Sequence, residues 1–329
     1  MTISLEDWLA LPLEDLAAQV HSFDVSAKIA MDGSTRHYLL HNPNPMGEVI
    51  ENEKAAYFQH GLKHFMRVVD LMLSCGVSTL IMLAIWPPDL DRREDHLRQN
   101  VQYSKRLLLS EEALLTFKRR KVRSRLFGNY DVSPILESVR SDIEDLAREL
   151  EVATPVGEQL VLWGFSGGSG LDELIARSVA LHQTLGRLPT EEELRSACFP
   201  LGPSDVDIYI GTGWLRIGNI DLPPVLNQGN TDLYSLCHLP FDLTEAEVRR
   251  ILYDHLFLRH QSSPADVVKY TPEVLSPLQA YYAGHGECII GFGHVVGQGF
   301  WYPDHAHGVE SNGTAQSSKA WSSNDKKKT

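Results

Sequence analysis

Cysteine, long apolar runs and positive charge are all scarce in this chain of 329 residues. The four cysteines, Cys75, Cys198, Cys237 and Cys288, form no CxxC pair, so we expect free buried thiols rather than a disulfide framework. Lysine and arginine total 30 against 43 acidic residues, a formal charge of −13. This balance argues against a broad nucleic-acid-binding surface.

No apolar run reaches the roughly 18–20 residues that a membrane-spanning helix needs. The best candidate, Val77 to Trp86, stops at Pro87 and Pro88, so it predicts a buried strand. The chain opens MTISLEDWLA, without a basic segment followed by a long apolar one. We therefore expect no transmembrane segment, no secretory signal and a cytoplasmic location.

The order of predicted elements favours an α/β fold. Val25 to Ile29 alternates like a short strand, and Glu51 to Cys75 has the spacing of a long amphipathic helix that stops at Gly76. Val77 to Ile85 is nearly continuously apolar, which is typical of a strand buried on both faces of a parallel sheet. We therefore predict a mostly parallel sheet flanked by helices on both faces.

Further periodic segments extend this alternation along the chain. Strands are predicted over Val122–Gly128, Gln159–Phe165 and Asp205–Ile210, and helices over Leu5–Phe23 (broken at Pro12), Arg98–Phe117, Pro134–Glu151, Leu171–Leu185 and after the capping boxes at Thr190 and Thr244. These segments divide the chain into an N-terminal helical segment (1–24), a catalytic domain (25–261), a C-terminal extension (262–308) and a disordered tail (309–329).

The segment Ile29 to His37 carries the chemistry on which the prediction depends. Asp32, Gly33 and Ser34 form a turn sequence after the first strand, and Arg36 follows. Backbone N–H groups and the guanidinium can face a diphosphate, while the carboxylate holds a divalent cation against it. An ordinary surface turn is the competing interpretation.

Gly164 to Gly168 fits the G-x-S-x-G pattern of a hydrolase nucleophile elbow at Ser166, after a strand and before a helix. No HGGG-type segment precedes it, and a structural turn explains the glycines equally well. Its triad partners would come from Asp207 or Asp232 with His238, His255 or His294. His60 and His64 share a helix face without an HExxH pattern, so we expect helix-surface histidines there.

Several segments together resemble the cis-prenyltransferases, the undecaprenyl diphosphate synthase family. Met31 to Arg36 is similar to that family's Met-Asp-Gly-Asn-Gly-Arg loop, and Asp232 to Tyr234 is similar to its Glu-Leu-Tyr segment. Further segments that resemble family motifs are Gly76–Arg92, Val122–Asn129, Leu160–Gly168, Asp207–Asn219 and Pro240–Phe241. They follow the family's order across roughly residues 25 to 260, and this order is more specific than any single match.

Departures from the family pattern occur in several segments, including the one that binds the family's second substrate, which keeps Arg216. Gly211 stands where the family has an arginine, Gly218 replaces a serine, and one residue is missing between Thr212 and Arg216. Other replacements are Ser34 for Asn, Thr35 for Gly, Ile85–Asp89 for Phe-Ser-x-Glu-Asn, Ser169 for Arg and Asp232 for Glu. The first-substrate site therefore looks retained and the isopentenyl diphosphate site modified.

The resemblance implies a Mg²⁺-dependent transferase that acts on a short allylic prenyl diphosphate and forms a homodimer. It implies catalytic roles for Asp32 and Arg36, metal binding by Asp32 and Asp232, diphosphate contacts from Gly33, Ser34, Thr35, Arg36, Lys54, Arg92, Arg216 and Gly218, and an apolar tunnel of Phe58, Leu62, Phe65, Leu83 and Ile85. The acceptor is isopentenyl diphosphate or another molecule. Terpene cyclase or lyase chemistry, irregular coupling, a silent prenyl-binding subunit and a Ser166 hydrolase are the alternatives.

Overall fold

The computed structural model describes residues 3–44, 53–85, 94–131, 133–199, 202, 205–212, 231–259, 271–285, 293–296 and 300–303. Six parallel strands form its main sheet, in the order β3–β4–β2–β1–β5–β6. The strands are β1 (Ser26–Ile29), β2 (Thr79–Ile85), β3 (Val122–Phe127), β4 (Gln159–Phe165), β5 (Ile208–Thr212) and β6 (Asp232–Leu236). The predicted parallel sheet is confirmed.

Eleven α-helices lie within the described residues. They are α1 (Leu5–Ala10), α2 (Leu13–His21), α3 (Ser34–His41), α4 (Lys54–Ser74), α5 (Glu94–Leu108), α6 (Glu111–Arg120), α7 (Arg140–Ala153), α8 (Gly170–Leu185), α9 (Glu191–Cys198), α10 (Glu245–Tyr253) and α11 (Pro272–His285). A π-helical turn, Asp254–Leu258, continues α10, and β7 (Gly293–Val296) pairs antiparallel with β8 (Phe300–Pro303). No described helix has both the length and the apolar composition to cross a membrane.

The structure divides one predicted helix and adds elements in the predicted extension. The helix predicted over Arg98–Phe117 is two helices, because Ser110 interrupts it and its hydroxyl accepts a hydrogen bond from the backbone N–H of Ala113 at 3.2 Å. The predicted extension contributes α11, with Pro277 inside the helix, and the β7–β8 hairpin.

The cysteines described are free thiols: Cys75 and Cys198 are buried, whereas Cys237 is exposed.

The two faces of the sheet are buried in different cores. Ala27 and Ile29 of β1 point into the larger core, which includes residues of α1, α2, α4–α7 and α10. On the opposite face, Ile81 packs with Cys198 and Phe199 at the end of α9. The strand-and-helix order thus produces helices on both faces, as predicted.

The N-terminal helices pack directly onto the end of the domain. Trp8 is fully buried, and its indole N–H donates to the backbone carbonyl of Arg249 at 2.8 Å. In return, Nη1 of Arg249 donates to the carbonyl of Leu11 at 2.8 Å, beyond the last turn of α1. Trp8 also makes an edge-on ring contact with Phe257 at 5.1 Å. Residues of the predicted N-terminal segment therefore belong to the main core.

Candidate functional site

The crevice between the carboxyl ends of β1 and β5 is the position at which this sheet reverses its strand order. On one side of β1 lie β2, β4 and β3, which the chain forms first, and on the other side lie β5 and β6, which it forms afterwards. Open α/β sheets bind ligands outside the carboxyl ends of the strands at such a reversal. Asp32 follows β1 and Thr212 ends β5, so both lie at this crevice.

Asp32 makes two polar contacts there. The Thr212 hydroxyl donates to Oδ1 of Asp32 at 2.6 Å, and Nη2 of Arg36 donates to Oδ2 at 3.2 Å. The side chains of Asp32 and Arg36 are 43% and 31% exposed, respectively. The structure therefore brings both predicted catalytic residues to one solvent-accessible point.

Gly33 is the N-cap residue immediately before α3, and its backbone conformation suits glycine. Its φ is +81°, and a Cβ there would lie 2.8 Å from Nη2 of Arg36 and 2.8 Å from Cδ2 of Leu239. No side chain caps this end of α3. The first N–H groups of an α-helix have no partner within the helix, so the start of α3 offers donors to an anion beside Arg36.

The remaining predicted diphosphate contacts are spread around this point. Ser34 is in the first turn of α3 and shares a 2.9 Å hydrogen bond with the hydroxyl of Tyr57 on α4. Thr35 is exposed next to it, and Lys54 is exposed at the start of α4. The other three predicted contacts, Arg92, Arg216 and Gly218, lie outside the described residues.

The structure does not bring Asp232 to Asp32. Asp232 begins β6 opposite Ile208, whereas Thr212, the partner of Asp32, lies opposite Leu236. Four residues of parallel strand correspond to about 13 Å along the sheet. Both oxygens of Asp232 are already engaged by basic side chains, Oδ2 with Nδ1 of His255 at 2.7 Å and Oδ1 with Nη1 of Arg259 at 2.9 Å. In this geometry Asp232 does not share a metal ion with Asp32, contrary to the prediction.

Four of the five predicted tunnel residues share the larger core. Leu62 and Ile85 are buried there, and the half-buried Phe58 and Phe65 pack against this core. Leu83 instead packs in the smaller core on the other face of the sheet. A bulge in β2 between Leu83 and Ile85 shifts the pairing by one residue, and such a shift reverses the face to which later side chains point.

Ser166 lies in a turn that is held by structural hydrogen bonds. Oδ1 of Asn129 accepts from the backbone N–H of Gly167 at 2.7 Å. The Ser166 hydroxyl contacts Oε2 of Glu173 at 3.5 Å, and burial raises the pKa of that carboxyl to about 7. The neighbour of the serine is thus a buried acid on α8 rather than a histidine.

The acids and histidines considered for a hydrolase triad are placed elsewhere. Asp207 precedes β5 at the amino end of the sheet, where Oδ2 accepts from the backbone N–H of Ser26 at 2.8 Å, whereas Ser166 follows the carboxyl end of β4. Of the candidate histidines, His238 contacts Glu247 and His294 is in β7. His255 does pair with the candidate acid Asp232, but this pair is at the amino end of β6, whereas Ser166 follows the carboxyl end of β4.

A cluster of histidines lies behind the start of α3, and sequence reasoning missed it. His37 and His41 of α3 meet His60 and His64 of α4, with ring centroids 4.4 to 6.2 Å apart. Burial and the neighbouring His37 lower the pKa of His60, and they lower that of His64 to about 4. Two pairs spaced four residues apart were the available signal, but only the packing of α3 on α4 brings the pairs together.

The chain is similar to two curated proteins along most of its length. No family model matches the chain. Tuberculosinyl adenosine transferase of Mycobacterium tuberculosis is 24% identical over 303 residues, which cover 92% of this chain and 99% of that protein. (+)-Kolavelool synthase of Herpetosiphon aurantiacus is 26% identical over 274 residues, covering 82% and 86%.

Two solved structures share the fold. One is lavandulyl diphosphate synthase from Lavandula x intermedia in complex with dimethylallyl diphosphate, with a TM-score of 0.52 and 14% identity. The other is a probable undecaprenyl diphosphate synthase from Campylobacter jejuni, with a TM-score of 0.50 and 18% identity. Each match covers 70% of this chain and 93% of the solved chain.

Proposed function

We propose that this divergent member of the cis-prenyltransferase family transfers or rearranges the prenyl group of a short allylic prenyl diphosphate. The observation that carries the proposal is the meeting of Asp32, Arg36 and Thr212 beside the uncapped start of α3. This arrangement combines backbone donors, one guanidinium and one exposed carboxylate at the strand reversal. It suits an anion that is accompanied by a cation.

The start of α3 and Arg36 would bind the diphosphate, and Asp32 would hold Mg²⁺ against it. Each Asp32 oxygen has one of the contacts described above, and a carboxylate has lone pairs for further ligands. Mg²⁺ in proteins commonly uses one or two carboxylates together with substrate phosphates and waters, so a single exposed carboxylate fits it. When bound, the ion would supply charge neutralisation for the departing diphosphate.

The chain's own residues perform the remaining steps. Thr212 orients the Asp32 carboxylate, while Arg36 and the α3 N–H groups stabilise the negative charge that develops as the carbon–oxygen bond breaks. The prenyl chain would lie against the half-buried Phe58 and Phe65, which exclude water from the allylic cation.

The identity of the acceptor is not determined by the modified isopentenyl diphosphate site. The names of the two sequence relatives denote transfer of a tuberculosinyl group to adenosine in one and synthesis of kolavelool in the other. These names favour an acceptor other than isopentenyl diphosphate, and terpene synthase chemistry is therefore the second candidate. The modified segment contains Gly211 at a position where the resembled family has an arginine.

Incubation with a series of allylic diphosphates and Mg²⁺, with and without isopentenyl diphosphate, tests the proposal. Pyrophosphate release and product analysis should show consumption that is lost in Asp32→Asn and retained in Ser166→Ala. A prenyl product that needs no isopentenyl diphosphate would favour the second candidate. Binding without consumption of any allylic diphosphate would support a silent prenyl-binding subunit, and loss of activity in Ser166→Ala would support the hydrolase.

The homodimer belongs to the same proposal, and an exposed apolar stripe on α8 supports it. Leu171, Ile175 and Val179 follow one another at four-residue spacing and are 45%, 56% and 52% exposed. Sedimentation velocity should show a dimer that Ile175→Glu dissociates. Val156→Glu, at a site outside α8 that is 80% exposed, is the matched control and should leave the dimer intact.

A further inference from the structure

The histidine cluster has the geometry of a metal site distinct from Asp32. His37 and His41 are four residues apart on α3, and His60 and His64 are four residues apart on α4, so each pair projects from one helix face. One ring nitrogen from each of His37, His41 and His60 lies within 4.8 Å of the other two. Three convergent imidazoles from two facing helices are a sufficient protein ligand set for a transition metal.

The spacing needs only a small adjustment to admit an ion. Nδ1 of His37 and Nε2 of His60 are 2.8 Å apart, in hydrogen-bond contact. Tetrahedral Zn²⁺ with bonds of 2.0–2.1 Å separates two ligand nitrogens by about 3.3 Å. Opening this pair by about half an ångström would replace their hydrogen bond with two metal bonds.

The other ring nitrogens are already held as they are in metal sites. Nε2 of His37 lies 3.1 Å from Oδ1 of Asp242, and Nδ1 of His41 lies 2.8 Å from the backbone carbonyl of His37. A metal-binding histidine characteristically donates its second N–H to a carboxylate or a carbonyl, which fixes the tautomer and leaves the opposite nitrogen free for the ion. Both contacts therefore prepare Nδ1 of His37 and Nε2 of His41 to coordinate.

His64 is the fourth imidazole of the group. Its ring centroid is 4.4 Å from that of His60 and 4.6 Å from that of His37. Its Nδ1 is buried and has no hydrogen-bond partner among the described residues. A buried nitrogen without a partner is costly, and coordination of a metal by this ring would remove that cost.

We propose that His37, His41 and His60 bind a Zn²⁺-class transition-metal ion, with His64 as the candidate fourth ligand. Imidazole nitrogen selects zinc, copper, nickel or iron over Mg²⁺, which prefers oxygen, so this site would not compete for the ion at Asp32. The metal would link α3 to α4 one residue after Arg36. It would thus fix the helix whose first turn faces the crevice.

Metal binding by the full-length chain, with any affinity tag removed, tests this proposal independently of catalysis. After treatment with a chelator and dialysis, Zn²⁺ should bind with a stoichiometry of one and raise the melting temperature. Co²⁺ should give the visible absorption of a tetrahedral nitrogen site. His41→Gln is the informative variant because His41 is exposed, so the substitution leaves the core intact.

His41→Gln and His60→Gln should each weaken Zn²⁺ binding at least tenfold and abolish the thermal shift. His182→Gln, at an exposed histidine in the last turn of α8, is the matched control and should bind as the wild type does. Absence of stoichiometric Zn²⁺ binding would overturn the proposal, as would wild-type affinity in His41→Gln or an equal loss in His182→Gln. Failure of the prenyl diphosphate assay would not affect either result.

Discussion

The Thr212 hydroxyl donates to Oδ1 of Asp32 at 2.6 Å and joins the end of β5 to the turn after β1, although the residues are 180 positions apart. The contact fixes the direction of a carboxylate that is otherwise 43% exposed. It also makes the crevice depend on both strands, so a residue outside the Asp32 segment controls the geometry of the proposed metal ligand.

Thr212→Val should lower turnover of the allylic diphosphate roughly tenfold to a hundredfold, because a hydrogen bond to a charged group contributes about 1.5–3 kcal/mol. The side chain keeps its shape, so circular dichroism should not change. Steady-state kinetics with Thr212→Ser, which restores the hydroxyl, should return near-wild-type rates. Equal rates in the valine and serine variants would show that this hydroxyl does not position Asp32.

Arg36→Ala should weaken binding of the allylic diphosphate by at least tenfold, because the phosphate loses a charge-assisted contact. Arg36→Lys should recover part of that loss, since it keeps the charge but not the planar fork. Inhibition by inorganic pyrophosphate measures this effect directly. Arg98, which is on α5, provides the control substitution, and Arg98→Ala should leave pyrophosphate inhibition unchanged.

Gly33→Ala should destabilise the protein by about 1–3 kcal/mol, because alanine is strained at φ +81° and its methyl group would meet Arg36 and Leu239. Urea unfolding measures the loss, and displacement of Arg36 should also weaken diphosphate binding. Gly186→Ala is the matched control: φ there is +66°, but nothing lies within 4 Å of the added methyl group. Its cost should be smaller, with binding unaffected.

Glu173→Gln should change how stability depends on pH. Burial raises the pKa of Glu173 from 4.5 to about 7, so the unfolded chain releases this proton at lower pH than the folded chain does. Wild-type stability therefore falls as pH rises from about 4.5 to 7, a loss of about 3 kcal/mol that is complete above pH 7. The glutamine variant does not undergo this loss.

Urea unfolding at pH 5 and pH 8.5 measures this effect. The free energy of unfolding of Glu173→Gln should be higher, relative to that of the wild type, at pH 8.5 than at pH 5. Glu193→Gln is the control, because hydrogen bonds from Arg187 and Thr190 lower the pKa of Glu193 to about 2. The pKa of Glu193 in the folded chain and its ordinary pKa of 4.5 both lie below the range from pH 5 to pH 8.5. The difference between Glu193→Gln and wild type should therefore stay constant, and a constant difference for Glu173→Gln would contradict the prediction.

The sequence pattern was sufficient to predict those elements whose structure depends on one short segment of the chain. β4 spans Gln159–Phe165 as predicted, because a strand buried along its length needs an unbroken apolar run. The capping boxes at Thr190 and Thr244 begin α9 and α10, since their hydrogen bonds join residues only three apart. The turn at Asp32 and Gly33 also follows the first strand as expected.

Features that depend on distant parts of the chain could not be predicted from such patterns. The β2 bulge reverses Leu83 relative to Ile85, and no sequence signal in the strand marks it. Asp232 matches a family motif, yet its position at the amino end of β6 follows from its register with β5. The histidine pairs of α3 and α4 are visible separately, but their meeting depends on how the helices pack.

The reciprocal hydrogen bonds of Trp8 and Arg249 also constrain how the domain is made. Their 241-residue separation means that α1 acquires its partner only after nearly the whole domain has been synthesised. Until then, the Trp8 indole N–H lacks its acceptor on α10, the backbone carbonyl of Arg249. The first helices therefore cannot complete their packing when they are made, but only after α10 has followed them.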